Sequence, residues 1–556
     1  MLTKLAGGRL YDPTHGINGE VRDLYLRDGQ ILAAAPVGET PRQTYDLAGK
    51  LVMAGAIDLH THIGGGKVNI ARTMLPEDQR NRVRTRTTLT RTGGGHAAPS
   101  TFAAGYRYAE MGYTTAFEPA VLPVNARQAH MEMADTPMLD TGGYAMLGSD
   151  ELLLQLMSEG VGQEVINDYV AWTLHAAQCI GIKVVNPGGI SAFKFNARSL
   201  DVDERHPHYP LTPRDIVRTL SRAVFELGVP HPLHVHASNL GIPGNHAATL
   251  ATMDAAEGFP IHLTHIQFHT YGTEGDRHFS SAAGEIAQAV NARKNVSIDV
   301  GQVMFGQTVT VSGDTMRQYA NHHHAHPRKW TCMDIECDAG CGVVPFRYRD
   351  QNFVNALQWA IGLELFLMVD DPWRVFLTTD HPNGAPFTSY PRLIRLLMDR
   401  GFRNDQLGQI NPEAAAMSCL GSLTREYSLY EIAIMTRAAP ARILGLTDRG
   451  HLGPGARADI TVYHQLDDPE QTFARPMLVF KGGEVVVEEG AVTRVVHGGT
   501  QVVRPAFDPA IEQRIGRWFD RYHSIRMANF RISDTEMAAG IGSPVTIHPC
   551  RAPGVA

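Results

Sequence analysis

The feature that most limits the fold is a series of short apolar runs between residues 54 and 440, separated by stretches of helical character. Several of these runs end in His or Asp and are followed by a loop rich in Gly or Asn. This alternation predicts repeated βα units, in which polar groups at the carboxyl ends of strands form the active site. The runs are AIDLHTH, CIGIKVV, PLHVHA, IHLTHI, VSIDVG and RVFLTTD.

The two ends of the chain resemble each other and differ from the middle. LYLRDGQILAAA near the start, and 450–464 and 477–492 near the end, read as hairpins with Gly-containing turns. We therefore predict a composite β domain from residues 1–53 and 441–506, a β/α barrel over 54–440, and a C-terminal arm over 507–556. A length of 556 residues accommodates one large barrel and a smaller domain.

Composition excludes some classes of protein. A formal net charge of −7 gives no overall basic footprint for nucleic acid. The longest apolar stretch, 355–369, is interrupted by Gln358 and Glu364, which favours a buried helix over a membrane span. The N-terminal residues lack the apolar segment of a secretion signal, so we expect a cytoplasmic protein. Its cysteines are then free thiols: Cys179, Cys332, Cys337, Cys341, Cys419 and Cys550.

Histidines at the predicted strand ends suggest a metal centre. DLHTH supplies His60 and His62, which share one face of a strand because side chains alternate. HPLHVHASN and PIHLTHIQFH each supply three more, and FLTTDHPNG supplies Asp380. A single histidine in a strand is more often a hydrogen-bonded core residue, but the ordered set suits divalent metals such as zinc. The candidates are His231, His234, His236, His262, His265 and His269.

Lys183 lies in GIKVVNPGG, a stretch that reads as a buried strand and its turn. Burying an unpaired ammonium group costs several kcal/mol unless it is paired or neutralised. Two other lysines separate the H-x-H motif from His236. Lys67 follows a Gly-rich loop that we expect to be flexible, and Lys194 lies beyond the Pro-Gly-Gly turn. Lys183 is therefore the favoured candidate for the centre, and a lysine reaching out to the rim is the alternative.

The order H-x-H, Lys, His, His, Asp resembles the binuclear branch of the amidohydrolase superfamily, which includes dihydroorotases and hydantoinases. The resemblance implies an α/β fold: a (β/α)₈ TIM-type barrel with a small β sandwich from both chain ends. It also implies two divalent metal ions, expected to be zinc, bridged by Lys183 as N6-carboxylysine. VHASN resembles the motif that selects His236, and LTHIQ the motif that selects His265. The implied ligands are His60, His62 and Asp380 for one metal and His236 and His265 for the other.

Longer motifs are similar to the A-type subunits of formylmethanofuran dehydrogenases and of bacterial formyltransferase/hydrolase complexes. They are GIKVVNPGG, HVHASNLGIPGN, THIQFHTYG and LTTDHPNGAPFTSYP. This family acts in one-carbon metabolism, including methylotrophy. The resemblance implies hydrolysis of an N-formyl amine on a methanofuran-type coenzyme, to formate and free coenzyme, within a multisubunit complex. The bacterial formate-releasing and archaeal CO₂-reducing assemblies both stay open, as do a free-standing cyclic-amide hydrolase and a non-catalytic scaffold subunit.

The resemblance also suggests roles for individual residues. Asp380 would transfer the proton from the nucleophile to the leaving amine. Asn186, His381 and Asn383 are candidate substrate contacts because they lie beside the predicted metal ligands. Arg84 and Arg86, in an arginine-rich run, could bind the acidic glutamyl tail of the coenzyme, since the guanidinium fork suits carboxylates. A solvated charged face is the alternative for that run.

Overall fold

The computed structural model describes residues 1–195, 197, 200–311 and 343–551. The histidine-rich stretch 321–330 and Cys332, Cys337 and Cys341 lie outside the described residues.

Eight parallel strands of the described chain form a barrel, in the order in which they occur in the sequence. The first and last strands meet through a bridge between Thr61 and His381, where the amide of His62 donates to the carbonyl of His381 at 2.8 Å. The predicted (β/α)₈ barrel is confirmed. The strands are β1 (Ala56–Asp58), β2 (Tyr113–Val121), β3 (Asp140–Met146), β4 (Gly181–Val185), β5 (Leu233–His236), β6 (Ile261–Leu263), β7 (Val296–Asp299) and β8 (Val375–Phe376).

Helices cover the barrel and frame its rim. Their N-termini are capped by side chains where the sequence provides them: Asp150 accepts from the amide of Leu153, and Thr212 and Asp215 form a capping box. The α-helices along the barrel region are Gly66–Thr73, Pro76–Asn81, Thr101–Ala109, Ala126–Asp135, Glu151–Ser158, Gln163–Ala176, Gly189–Lys194, Pro213–Glu226, His246–Ala255, Ala283–Ala292, Phe353–Met368, Tyr390–Met398, Arg400–Leu407, Pro412–Met417, Leu429–Ala433 and Ala439–Ile443.

The apolar stretch 355–369 lies almost entirely within the helix Phe353–Met368, which is buried along most of its length. Its one carboxylate, Glu364, accepts hydrogen bonds from the Ser418 hydroxyl and the Cys419 amide, both at 2.7 Å. A paired carboxylate can be buried at tolerable cost. Within the described ranges, no helix has both the length and the apolarity to cross a membrane.

A second sheet combines both ends of the chain. Lys50–Ala54 pairs antiparallel with Ile460–His464, which joins the N-terminal to the C-terminal strands over a shared apolar core. This confirms a β domain built from both ends. Its strands are Thr3–Asp12, Ile17–Arg27, Gln30–Ile31, Gln43–Asp46, Lys50–Ala54, Ile460–His464, Leu478–Lys481, Glu484–Glu488 and Ala491–Val492.

Charged side chains are buried where the β domain meets the barrel. Asp140, at the start of β3, accepts from Lys481 Nζ and, at 2.7 Å, from Arg449 Nη1. Lys481 also donates to Asp459 at 2.7 Å. Burial raises the pKa of Asp140, but Lys481 and Arg449 outweigh it and hold the pKa far below its usual range. This closed network fixes the two units together.

The last part of the chain returns to the barrel. Thr500–Val503, within the segment assigned to the β domain, extends the barrel sheet beside β3 and pairs with Val545–His548. The arm helix Ile511–Tyr522 lies over the helix Gln163–Ala176, where the rings of Trp172 and Phe519 are 6.4 Å apart. The domain boundaries themselves stay a prediction. The remaining helices are Pro469–Ala474 and Met527–Phe530.

Candidate active site

His60, His62 and Asp380 meet across the closure of the barrel. His60 Nε2 lies 2.9 Å and His62 Nε2 3.5 Å from Asp380 Oδ1. One ligand atom from each residue lies within 4.8 Å of the others, and all three side chains are buried. Two imidazoles and a carboxylate at this spacing suit one divalent ion.

A second cluster contains three histidines. The ring centroids of His236 and His265 are 4.6 Å apart. The ring centroid of His269 lies 5.1 Å from that of His236 and 5.3 Å from that of His265. Their ligand atoms also lie within 4.8 Å of one another. The sequence motifs selected His236 and His265. The resemblance of LTHIQ selected His265 over His269, which the structure places at the end of the short 3₁₀ helix Ile266–His269.

Lys183 is buried in β4 and lines the same cavity as the first cluster and as His236 and His265 of the second. Burial lowers the pKa of its amine to about 7, although the nearby carboxylates of Asp299 and Asp380 oppose this. A substantial fraction is then the free amine at neutral pH, which is the form that reacts with CO₂. The carboxylated lysine that the resemblance implies would form from this free amine.

Two carboxylates orient the histidines that follow β1. Glu118 Oε1 lies 2.8 Å from His62 Nδ1, and its other oxygen accepts from the amides of Ile63 and Gly64. Asp299 Oδ2 lies 3.2 Å from His60 Nδ1. Hydrogen bonds to the far nitrogen of a metal-binding imidazole fix its tautomer and orientation. Sequence reasoning missed both residues, although VSIDVG placed Asp299 at a strand end.

Electrostatics keep the centre charged. Burial raises the pKa of Asp380, but the imidazoles around it, His60 among them, outweigh it and hold the pKa well below the usual range. Burial lowers the pKa of His60, yet Asp299 and Asp380 outweigh it and raise the pKa to about 8. The described side chains therefore place anionic oxygens beside imidazole nitrogens in a site with almost no solvent contact.

Three residues of the site have left-handed backbone conformations. The φ angles are +42° at Asn186, +37° at His265 and +49° at Asp380. Such conformations are uncommon for residues other than Gly and concentrate at functional sites. Each residue stands directly after or close to the end of a barrel strand, where the chain turns sharply.

The cavity between the clusters is about 20 Å³, enough for about one water molecule. Lys67 lines it as well. This residue was expected in a flexible loop but is buried in the first turn of the helix Gly66–Thr73. The lining residues are His60, His62, Lys67, Ala120, Lys183, Val185, His236, Leu240, His265, Phe268, Val311, Asp380 and Asn383.

The candidate substrate residues beside Asp380 occupy different positions. Asn383 lines the cavity, and its side-chain oxygen accepts from the amide of Val311 at 2.6 Å. His381 is buried behind the cavity, where its Nδ1 accepts from the amide of Phe387 at 3.2 Å. Their substrate roles stay predictions.

Asn186 is buried at the end of β4, where its backbone amide donates to the backbone carbonyl of His236 at 3.0 Å. Arg84 and Arg86 lie away from the cavity. The guanidinium of Arg84 pairs with Glu110 and lies 5.4 Å from the ring centroid of Tyr106. The side chain of Arg86 is exposed. Binding of an acidic tail by these arginines stays a prediction.

The donor set fits metal ions. His265 Nδ1 is buried with no hydrogen-bond partner among the described residues, and burial holds the pKa of this imidazole well below its ordinary value. A buried neutral imidazole without a partner is costly unless it binds a ligand. Metal coordination would satisfy it.

Comparison with known proteins gives the class. Residues 43–502 match the model "Amidohydro_3: Amidohydrolase family", and the chain belongs to the amidohydrolase family. It is 43% identical over 551 residues to the A-type subunit of the formyltransferase/hydrolase complex Fhc of Methylorubrum extorquens, covering 98% of each chain. It is 40% identical over 556 residues to Protein FwdA of Methanocaldococcus jannaschii, covering 95% of this chain and 96% of that protein.

Solved structures agree with these relationships. A chain of the FhcABCD complex from Methylorubrum extorquens, crystallised with methylofuran, superposes with a TM-score of 0.91 and 43% identity, over 99% of this chain and 100% of that one. The zinc-containing N-acyl-D-glutamate deacylase of Bordetella bronchiseptica has a TM-score of 0.51 at 17% identity, over 91% of this chain and 99% of that one. The second similarity concerns the fold alone.

Proposed function

We propose that this chain hydrolyses the formyl C–N bond of an N-formyl amine carried by a methanofuran-type coenzyme, releasing formate and the free amine. The observation that carries the proposal is the full-length similarity to the A-type subunit of the Fhc complex. The chemistry of the site supports it, because one cavity is lined by Lys183, Asp380 and four of the clustered histidines, His60, His62, His236 and His265.

The proposed ligands are His60, His62 and Asp380 for one divalent ion and His236 and His265 for the other. Lys183, as N6-carboxylysine, would bridge them, and zinc is the proposed metal. When bound, such ions supply a Lewis acid for the formyl oxygen and lower the pKa of water.

The residues of this chain then manage protons and orientation. Asp380 accepts a proton from the attacking water and gives it to the leaving nitrogen as the C–N bond breaks and the C–O bond forms. Its low pKa keeps the carboxylate ionised at neutral pH. Glu118 and Asp299 hold the imidazoles of His62 and His60 in place. Asn383, beside Asp380 on the cavity wall, would position the formyl group, with Asn186 and His381 supporting the rim.

The chain would work in the cytoplasm as the hydrolase subunit of a multisubunit formyltransferase/hydrolase complex. A component of such a complex, from Methylorubrum extorquens, and FwdA both match it over nearly the whole length. Arg84 and Arg86 would meet the acidic tail of the coenzyme before its formyl end enters the barrel.

Formate release from N-formylfurfurylamine, compared with hydrolysis of hydantoin and dihydroorotate, tests the proposal. We expect hydrolysis of the first substrate only, with formate as its product. Asp380→Asn should lower kcat by about 10²- to 10⁴-fold, since the proton transfer is lost. Asp405→Asn, an exposed acid elsewhere, is the control. Faster turnover of either cyclic amide, or full activity in Asp380→Asn, would contradict the proposal.

A further inference from the structure

Two histidines lie deeper in the barrel than the metal centre. His234 is on β5, where it pairs with Lys183 of β4 and with His262 of β6, so that the three belong to one layer of the barrel interior. His231 lies three residues earlier in the chain. Such layers are usually filled by branched apolar side chains. Imidazoles in their place need hydrogen-bond partners, because burying an unpaired polar group is costly.

The rings of His60, His234 and His231 form a hydrogen-bonded column. His60 Nδ1 lies 2.9 Å from His234 Nε2, and His234 Nδ1 lies 2.9 Å from His231 Nε2. All three side chains are buried, and neither His231 nor His234 lines the cavity between the metal clusters. The column therefore runs from a proposed metal ligand down into the core of the barrel.

Rings from other strands hold the column in place. The ring centroid of Tyr144 lies 4.8 Å from that of His231 and 4.7 Å from that of His234, and it stacks on both. The Tyr144 hydroxyl donates to the carbonyl of Leu59 at 2.7 Å. The ring centroid of His262 lies 4.8 Å from that of His234. In a close-packed interior these contacts keep each imidazole in one orientation.

The column has a direction, because only one proton fits between each pair of ring nitrogens. When His60 binds an ion through Nε2, its proton is on Nδ1, and His234 Nε2 must accept it. The proton of His234 is then on Nδ1, where His231 Nε2 accepts it. A second proton on either lower ring would place two hydrogens between one pair of nitrogens. Both lower rings are therefore Nδ1–H tautomers.

Other groups near His60 Nδ1 leave this task incomplete. Asp299 Oδ2 lies 3.2 Å from it, farther than His234 Nε2, and also lies 3.2 Å from His262 Nε2. The Thr264 hydroxyl lies close to the same nitrogen, but a hydroxyl donates or accepts and so selects neither tautomer. His234 Nε2 is the nearer of the two acceptors that favour a proton on His60 Nδ1.

A neutral His60 has an alternative tautomer, with its proton on Nε2. There the carboxylate of Asp380 would accept it, since Oδ1 lies 2.9 Å away. That form offers an ion no lone pair at Nε2. An ordered acceptor at His234 Nε2 favours the tautomer that binds the ion over the one that does not.

We propose that His234 and His231 are positioning residues of the metal centre, which hold His60 as the Nδ1–H tautomer so that its Nε2 is presented to the ion. His234 accepts from His60 directly. His231 acts one ring further away, by keeping the proton of His234 on Nδ1. This inference rests on the metal centre of the proposed function and is independent of which formyl amine is the substrate.

Zinc affinity, measured by chelator competition on the full chain purified with its partner subunits, tests the role of His231. His231→Leu leaves the Nδ1–H of His234 without its acceptor and should weaken zinc binding about tenfold. His231→Gln offers an amide oxygen in place of the lost Nε2 and should restore the affinity to within about twofold of the wild type. His130→Leu is the matched control, since it removes a buried histidine whose Nε2 lies 2.9 Å from the carbonyl of Ala177.

Neutron diffraction from zinc-loaded wild-type protein locates the hydrogens directly and needs no variant, so it decides the question even if His231→Leu folds poorly. We expect deuterium on Nδ1 and none on Nε2 in both His234 and His231. Deuterium on Nε2 of either ring would overturn the inference. So would a zinc affinity that His231→Leu leaves unchanged, an equal loss in His130→Leu, or a loss that His231→Gln does not restore.

Formate release from N-formylfurfurylamine keeps this inference separate from the proposed function. A chain that binds zinc, loses affinity in His231→Leu and releases no formate would end the proposed function and leave the column standing. Formate release with the same zinc affinity in wild type and His231→Leu would end the column alone.

Discussion

Replacing Lys183 with methionine should stabilise the metal-free protein while abolishing metal binding. The pKa of this amine is lowered from an ordinary 10.5 to about 7 by burial, and the residue is 2% exposed. At pH 7 the unfolded chain holds the proton far more tightly than the folded chain, so burying the amine lowers the free energy of unfolding by about 4 kcal/mol. Methionine fills similar space and carries no charge.

The direction in which the free energy of unfolding changes with pH follows from proton binding. Between pH 7 and pH 10.5 the unfolded state binds more protons at this position than the folded state, so stability rises with pH. Between pH 7 and pH 9, titration of this amine should raise the free energy of unfolding of the wild type by about 2 kcal/mol. The Lys183→Met protein should lack this increment.

Urea unfolding of metal-free protein in CO₂-free buffer measures both effects. Lys294→Met, at an exposed position, is the control and should change the free energy of unfolding by less than about 0.5 kcal/mol. Identical pH slopes for wild type and Lys183→Met would refute the reasoning about the buried amine. A separate crystallographic result, a bare amine at full metal occupancy, would refute the carboxylated bridge.

Four further changes address other parts of the molecule. Glu118→Gln should weaken metal binding about 10- to 100-fold, as measured by chelator competition, because His62 loses its orienting partner; Glu110→Gln is the control, and unchanged affinity would remove Glu118 from the centre. His269→Ala should lower the number of ions retained after dialysis; two ions per chain in the variant would show that this imidazole is not a ligand. Lys481→Met should lower the free energy of unfolding by about 3–5 kcal/mol in urea, since it leaves Asp140 and Asp459 under-compensated; a loss below about 1 kcal/mol would contradict that view of the network. Arg84→Gln combined with Arg86→Gln should raise the KM for the tailed coenzyme relative to a truncated one, and an unchanged ratio would exclude binding of the tail.

The barrel was predictable because apolar runs, several of them ending in His or Asp, alternate with helical stretches, and strand ends in such a barrel converge on one pole. His60, His62 and Asp380 meet there for that reason. The motif resemblance then distinguished His236 and His265 from histidines lower in the same strands, which periodicity alone could not do.

What the sequence left open depends on geometry beyond the strands. His269 follows its strand on a single 3₁₀ turn, whose direction has no sequence signal. Glu118 contacts His62 from the neighbouring strand, so its role depends on pairing register. Lys67 was misjudged because a Gly-rich loop reads as mobile, whereas here a helix begins inside it. The strand Thr500–Val503 joins the barrel by pairing with β3, a strand far away in the sequence.

The closure between β1 and β8 has a consequence for biosynthesis. His60 and Asp380, now 2.9 Å apart, are separated by 320 residues. At synthesis rates of about 5–20 residues per second, roughly 15–60 s pass between the synthesis of His60 and that of Asp380, which completes its ligand set. The first ligand set is therefore complete only when the last strand of the barrel has closed against the first.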